Sequence, residues 1–298
     1  MGLLVLLALA GIAATGILVI IGVSIWAAHE LTLTDRVPVQ GHPTQFGLEY
    51  DDVTFPSRHD KVLLQGWYLP ATPDQRCIVL IQGQAHHRNS PGIRSLRLGR
   101  DLVGRGYSVL LFDFRGRGES GGTRDSAGDR EQWDVLGAVD YVLGRGIPME
   151  RIGLLGFSLG AAVALLVAAK EPKIPALVCD SGFLDSMVDL RQVPILWFHL
   201  PSWFAFTIAM AGRIFFEADF SKVRPAKVVE NISQPIFFIH GEHDPVIAYS
   251  ESAELHRLSN NPQDQLWLAP ETGHIAAYRR QPGEYVARVT SFLEKHLD

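Results

Sequence analysis

The chain has 298 residues, with 27 Lys+Arg against 32 Asp+Glu for a net charge of −5. That balance is too mild to imply nucleic acid or another strongly charged partner, and the length suits one large α/β domain with an ample core. The two cysteines, Cys77 and Cys179, lie in separate apolar runs and read as small buried side chains, not as a disulfide.

From Gly2 to Ala28 no residue is charged, and about 20 such residues suffice to cross a bilayer as a helix. This predicts a single-pass membrane anchor over residues 1–28. A secretory signal, cleaved to release the rest, is the rival reading. It lacks a basic residue ahead of the apolar run and a small-x-small pair ahead of a cut near Trp26. The nearest basic residue, Arg36, stands among Glu30 and Asp35, so neither side of the membrane is favoured. Residues 29–46 show no periodicity and read as a linker, which leaves 47–298 as the globular domain.

Segments Leu48–Phe55 and Val62–Leu69 have strand composition, and the polar turn between them predicts an antiparallel hairpin. Apolar runs Cys77–Ile81, Ser108–Phe112, Arg151–Leu155, Ala176–Cys179, Ile236–Ile239 and Gln265–Leu268 then alternate with helical stretches such as Arg94–Arg105, Gln132–Arg145 and Ala161–Lys170. Such alternation predicts an α/β fold: a mostly parallel sheet with helices on both faces. Residues 192–212 are uncharged and nearly long enough for a second span. Pro194, Pro201 and His199 argue against one continuous helix. A span there would also put Ser158 and His274 on opposite sides of the membrane. Leu184 to Arg224 therefore reads as an inserted, aromatic-rich helical cap, with a pair of core helices as the plainer alternative.

The chemistry concentrates at Gly156-Phe157-Ser158-Leu159-Gly160. In a G-x-S-x-G turn from strand to helix the serine is forced into a strained, exposed conformation, and glycines two residues to either side leave room for it. The helix after Ser158 contributes amide N–H groups and a dipole that favour a nearby anion. A serine needs a base and an orienting acid, and both follow in chain order. Asp244 leaves the strand PIFFI in His240-Gly241-Glu242-His243-Asp244, and His274 leaves QLWLAP in Glu271-Thr272-Gly273-His274. All three stand at carboxyl ends of strands, where sites in open α/β sheets gather. Glu242 is the runner-up acid, followed by Asp180 and Asp185. The second oxyanion donor should come from the loop after Ile81, where we assign the backbone N–H of Gln84 beside that of Leu159. Adjacent His86 and His87 have poor spacing for one metal ion and no supporting cluster, so no metal is expected. Arg115-Gly116-Arg117-Gly118 lacks the lysine of a phosphate loop and reads as a flexible turn.

These residues resemble the α/β-hydrolase superfamily. GFSLG, HGEHDPV and TGH carry the likeness, and WYLP, IVLIQG and FDFRGRGESGG are similar to its membrane-anchored serine hydrolase branch, over Leu48 to the end of the chain. The resemblance implies eight strands with the second antiparallel, a cap after the sixth, Ser158 as nucleophile, Asp244 as acid, His274 as base, and Gln84 with Leu159 as oxyanion donors. Gln82-Gly83 stands where the family commonly has His-Gly, and SLGAA where it has SLGG. The expected activity is cofactor-independent hydrolysis of an ester, thioester or related acyl bond in a small-molecule substrate. Trp197, Phe198, Trp203, Phe204, Phe206, Phe215 and Phe216 in the cap hint at acyl chains or lipids. A catalytically silent binding protein and an acyltransferase using the same residues are the alternatives. The oligomeric state is not written in these patterns.

Overall fold

The computed structural model describes every residue except 35, 73–74, 85–86 and 192, together with the side chains of 189 and 196. Among the described residues the strands are β1 (Asp51–Pro56), β2 (Leu63–Leu69), β3 (Cys77–Ile81), β4 (Ser108–Phe112), β5 (Ile152–Phe157), β6 (Ala176–Asp180), β7 (Ile236–Gly241) and β8 (Gln265–Ala269). They form one eight-stranded sheet in the order β1-β2-β4-β3-β5-β6-β7-β8. β2 runs antiparallel to both neighbours, and every pair from β4 through β8 is parallel. The central strands β3, β4, β5 and β6 are buried at every position. Helices on both faces make this possible, and it is why these strands read as unbroken apolar runs and not as alternation.

The helices are α1 (Gly2–Thr32), α2 (Ser95–Val103), α3 (Glu131–Gly144), α4 (Leu159–Ala168), α5 (Ser186–Leu190), α6 (Val193–Phe198), α7 (Phe204–Phe215), α8 (Tyr249–Leu258), α9 (Ala277–Arg280) and α10 (Pro282–Glu294). One core layer joins α3, α4 and α8 to the sheet, and the opposite layer joins α2 and α10 to it. α4 has no polar face because it has no exposed one: all ten of its residues are buried.

The cap follows β6, as expected, and contains α5, α6 and α7. The uncharged stretch within it breaks where its prolines predict. Pro194 sits in the first turn of α6, Pro201 lies between α6 and α7, and His199 takes a positive φ of 54°. α7 has 12 residues, about 18 Å at 1.5 Å per residue, too short to cross a bilayer.

α1 is a 31-residue helix whose most apolar window is entirely unburied, which fits a membrane anchor or a signal sequence. Its end differs from the expected boundary at Ala28, since the helix continues to Thr32. Tertiary contacts hold the extra turn. Ala27 and Ala28 are fully buried against the cap, and the Asp125 N–H donates to the Thr32 carbonyl at 3.0 Å. Leu33 pairs with Arg124 as an isolated bridge. The stretch read as a linker is thus attached to the domain along part of its length.

Candidate active site

Ser158 stands where β5 turns into α4, with φ 53° and ψ −118°, a conformation costly for any residue with a Cβ. The turn is tight enough to demand both glycines. A Cβ on Gly156 would strike the Gly160 carbonyl, and one on Gly160 would strike the Ile81 carbonyl. The Ser158 N–H is anchored to the Asp180 carbonyl at 2.8 Å.

The sheet brings the three distant side chains into one hydrogen-bonded line. His274 Nε2 lies 3.0 Å from Ser158 Oγ, and His274 Nδ1 lies 2.7 Å from Asp244 Oδ2. The loops that carry them are joined, since the His243 N–H donates to the Thr272 carbonyl at 2.9 Å. Asp244 is held on its other oxygen: Oδ1 accepts from the Val246 and Ile247 N–H groups at 2.8 and 2.9 Å. Burial alone would push this carboxyl up. Hydrogen bonds from His240, His274 and the Ile247 N–H outweigh it and hold Asp244 well below the usual carboxylate range. Asp244 is therefore ionised, and an ionised carboxylate at Nδ1 keeps the proton there and leaves Nε2 free to accept from the serine.

Of the four candidate acids, Asp244 alone bonds to His274. Glu242 is exposed, Asp185 pairs with Arg224 in the cap at 2.6 Å, and Asp180 is fully buried beneath the site. Asp180 accepts from Ser181 Oγ at 2.9 Å, and Ser181 Oγ in turn accepts from the Ile275 N–H at 3.1 Å. It thus supports the turn next to His274 without touching the ring.

His240 opens the same motif as Asp244, and nothing in the sequence gives it a role. Its side chain is wholly buried, with Nδ1 2.7 Å from Ser252 Oγ and Nε2 3.0 Å from the Ile247 carbonyl and 3.2 Å from Asp244 Oδ2. Two acceptors at Nε2 place a proton there, and with Nδ1 against the Ser252 hydroxyl the ring braces the Asp244 loop. The signal was its place at the end of β7, four residues before Asp244.

The loop after β3 is secured by Gln82, whose Nε2 donates to the Arg88 carbonyl and to Ser95 Oγ, both at 3.2 Å. The amide thus stitches the loop to the start of α2. Gln84 opens onto the same cleft as Ser158, and the N–H of Leu159, first in α4, has no acceptor inside its helix. His87 is buried, its Nδ1 accepting from the Asn89 N–H at 3.2 Å, while His86 lies outside the described residues.

The turn at Arg115–Gly118, expected to be flexible, is instead a buried ionic joint. Arg115 and Arg117 are 4% and 6% exposed. Arg115 pairs with Asp134 at 2.7 Å and Asp60 at 2.6 Å, and Arg117 pairs with Asp125. Composition hid this, because the carboxylates lie between 8 and 55 residues away and only the folded chain brings them to the turn. Both guanidinium groups are spent internally, which also removes the phosphate reading.

The cleft over Ser158 and His274 encloses about 550 Å³, and Arg117, Asp125, Trp197 and Val246 line it together with Leu31 at the end of α1 and Leu33 and Thr34 just beyond it. Beside it an apolar pocket of about 140 Å³ is bounded by Leu159, Phe183, Leu190, Val193 and Phe220.

Residues 96–298 match the prolyl oligopeptidase family. The chain belongs to that family. It is accordingly a serine hydrolase with the α/β-hydrolase fold, as the resemblance implied. The esterase Pf2001 of Pyrococcus furiosus superposes with a TM-score of 0.74 at 25% identity, over 90% of this chain and 99% of that one. Among relatives by sequence, the uncharacterized protein YqkD of Bacillus subtilis is 28% identical over 211 residues, 69% of this chain and 68% of that one. The lysophosphatidylserine lipase ABHD12 of Macaca fascicularis is 28% identical over 204 residues, 65% of this chain and 48% of that one.

Proposed function

We propose that the chain is a membrane-anchored esterase that cleaves acyl bonds by a Ser158-His274-Asp244 triad. The unbroken hydrogen-bonded line from Ser158 Oγ through the His274 ring to Asp244 carries this reading. Ser158 Oγ attacks the acyl carbonyl as His274 Nε2 takes its proton, and the carbonyl π electrons move onto oxygen. The N–H groups of Gln84 and Leu159 stabilise that oxyanion. On collapse the alkoxide leaves with the proton from Nε2. Water, deprotonated by the same nitrogen, then releases the carboxylic acid and restores the serine. Asp244 keeps its charge throughout and holds the ring's tautomer.

An acyl ester is favoured over a peptide by the apolar pocket beside Ser158, whose lining offers hydrocarbon to an acyl chain. The activities named for Pf2001 and ABHD12 point the same way. α1 supplies the anchor, since its unburied apolar length exceeds a bilayer's requirement.

Ser158→Ala should lower kcat on short-chain aryl esters by about 10⁴- to 10⁶-fold, the range for triad knockouts, and abolish labelling by a fluorophosphonate probe. An alanine variant retaining parental turnover would overturn the mechanism. Presenting the parent enzyme with peptides, and with esters plus an added alcohol, separates peptidase and acyltransferase chemistry from hydrolysis.

A further inference from the structure

We propose that α7 and the last turns of α1 form one membrane-seated face of the cap, so that an acyl lipid reaches Ser158 from the bilayer that holds α1. The substrate half of this statement rests on the esterase reading above, and the seating of the cap rests only on the reading of α1 as an anchor.

The argument begins with length. The uncharged stretch Gly2–Ala28 measures about 40 Å at 1.5 Å per residue, against a hydrocarbon core of about 30 Å. About two turns are therefore left over at the headgroup layer. Those are the turns on which the cap packs. Ser24 Oγ donates to Thr207 Oγ1 at 2.7 Å, and Trp26 meets Phe198 edge-on with centroids 5.2 Å apart.

The outer side of α7 is apolar. Phe206, Met210 and Ile214 recur every four residues and are 65%, 47% and 63% exposed. Ile17 and Ile21 repeat the spacing on neighbouring α1 and are likewise exposed. A groove of about 330 Å³ between the helices is bounded by Ile20, Ile25, Met210, Ala211 and Phe215, and its two hydroxyls, Ser24 and Thr207, bond to each other. Trp26 on α1 and Trp203 at the start of α7 are exposed beside this face, and tryptophan prefers the headgroup level. An apolar patch of this kind calls for a cover. The bilayer entered by α1 lies against it with no further partner required.

The same helix runs on to the reacting groups. Leu31 bounds both the cleft over Ser158 and the apolar pocket beside it. From Ile21 to Leu31 is ten residues, about 15 Å along the axis, close to the length of an acyl chain that fills one leaflet of a core about 30 Å thick. A chain partly withdrawn along α1 therefore spans the distance from its own leaflet to the serine.

The test uses the full chain in phosphatidylcholine nanodiscs with nitroxides at Phe206→Cys, Met210→Cys and Ile214→Cys and a control at Arg257→Cys. Native Cys77 and Cys179 are buried and stay unlabelled. Oxygen should reach the three cap positions more readily than a water-soluble nickel chelate, with the reverse at 257. Nickel access at the cap equal to that at 257 overturns the seating. Separately, replacing Phe206, Met210 and Ile214 together by serine should slow hydrolysis of a monoacylglycerol held in the nanodisc by about 10-fold and leave a water-soluble acetyl ester untouched. No loss on the lipid, or equal loss on both esters, overturns the lipid route. A parent protein inactive on both esters sinks the esterase reading and the route with it, while the nitroxide result still decides where the cap sits.

Discussion

Two buried aspartates end neighbouring strands of the sheet, and their surroundings drive them in opposite directions. Asp244, after β7, receives two backbone N–H groups and faces two histidines, and it is held well below the usual carboxylate range. Asp180, at the end of β6, receives one hydroxyl on Oδ1 while Oδ2 has no hydrogen-bond partner among the described residues, and burial pushes it up to about 6. Burial pushes both up; the donors around Asp244 outweigh it, and those around the more deeply buried Asp180 do not. One carboxyl stays charged beside the His274 ring; the other is a neutral strut for much of the acidic range.

Asp244→Asn attacks the charged member directly and should have the largest effect. The Val246 and Ile247 N–H groups can still bond the amide oxygen, so the loop should keep its shape. The amide nitrogen then faces His274 Nδ1 and favours the wrong tautomer, and kcat should fall by about 10⁴-fold with the melting temperature nearly unchanged. Activity within ten-fold of the parent would show that another acid serves the ring. His240→Leu tests the brace one step further out. It removes the buried donor behind Asp244 and should lower kcat by up to about 10²-fold, the scale of a misplaced catalytic group, with little change in KM. His240→Gln keeps an N–H donor and should recover most of the loss. Equal defects in both variants would reduce His240 to a packing residue.

The contrast also marks what can be read from residue order alone. The convergence of Ser158, Asp244 and His274 was legible because each stands in a turn after an apolar run, and strand ends in a parallel sheet converge whatever their separation in sequence. The cap was legible from prolines inside an uncharged stretch. His240 and the Arg115 and Arg117 joints were not. Their partners, Ser252, Asp60, Asp134 and Asp125, are fixed by tertiary packing, and a lone arginine in a glycine-rich turn reads the same whether solvated or buried. The end of α1 was hidden for a related reason: the turn at His29–Thr32 has no helical pattern of its own and is held by Asp125, Arg124 and the cap.

Asp180→Asn probes the neutral member and should have the smallest effect on rate and a distinct effect on stability. Its carboxyl titrates near 6 in the folded protein against an ordinary 3.8, so between those values the native state binds a proton that the unfolded chain has released. Stability from this group is complete below about pH 4 and declines as pH rises toward 6, by about 3 kcal/mol at most. The asparagine variant lacks that slope while its amide oxygen can still accept from Ser181. Relative to the parent it should therefore gain stability on going from pH 4 to pH 7, as read from urea midpoints in detergent. A pH-independent difference would mean that the Tyr285 hydroxyl, which approaches Asp180 without forming a proper hydrogen bond, turns toward the carboxylate in solution and supplies the missing donor. The two aspartates would then differ in degree, and the contrast in donor number would not be what separates them.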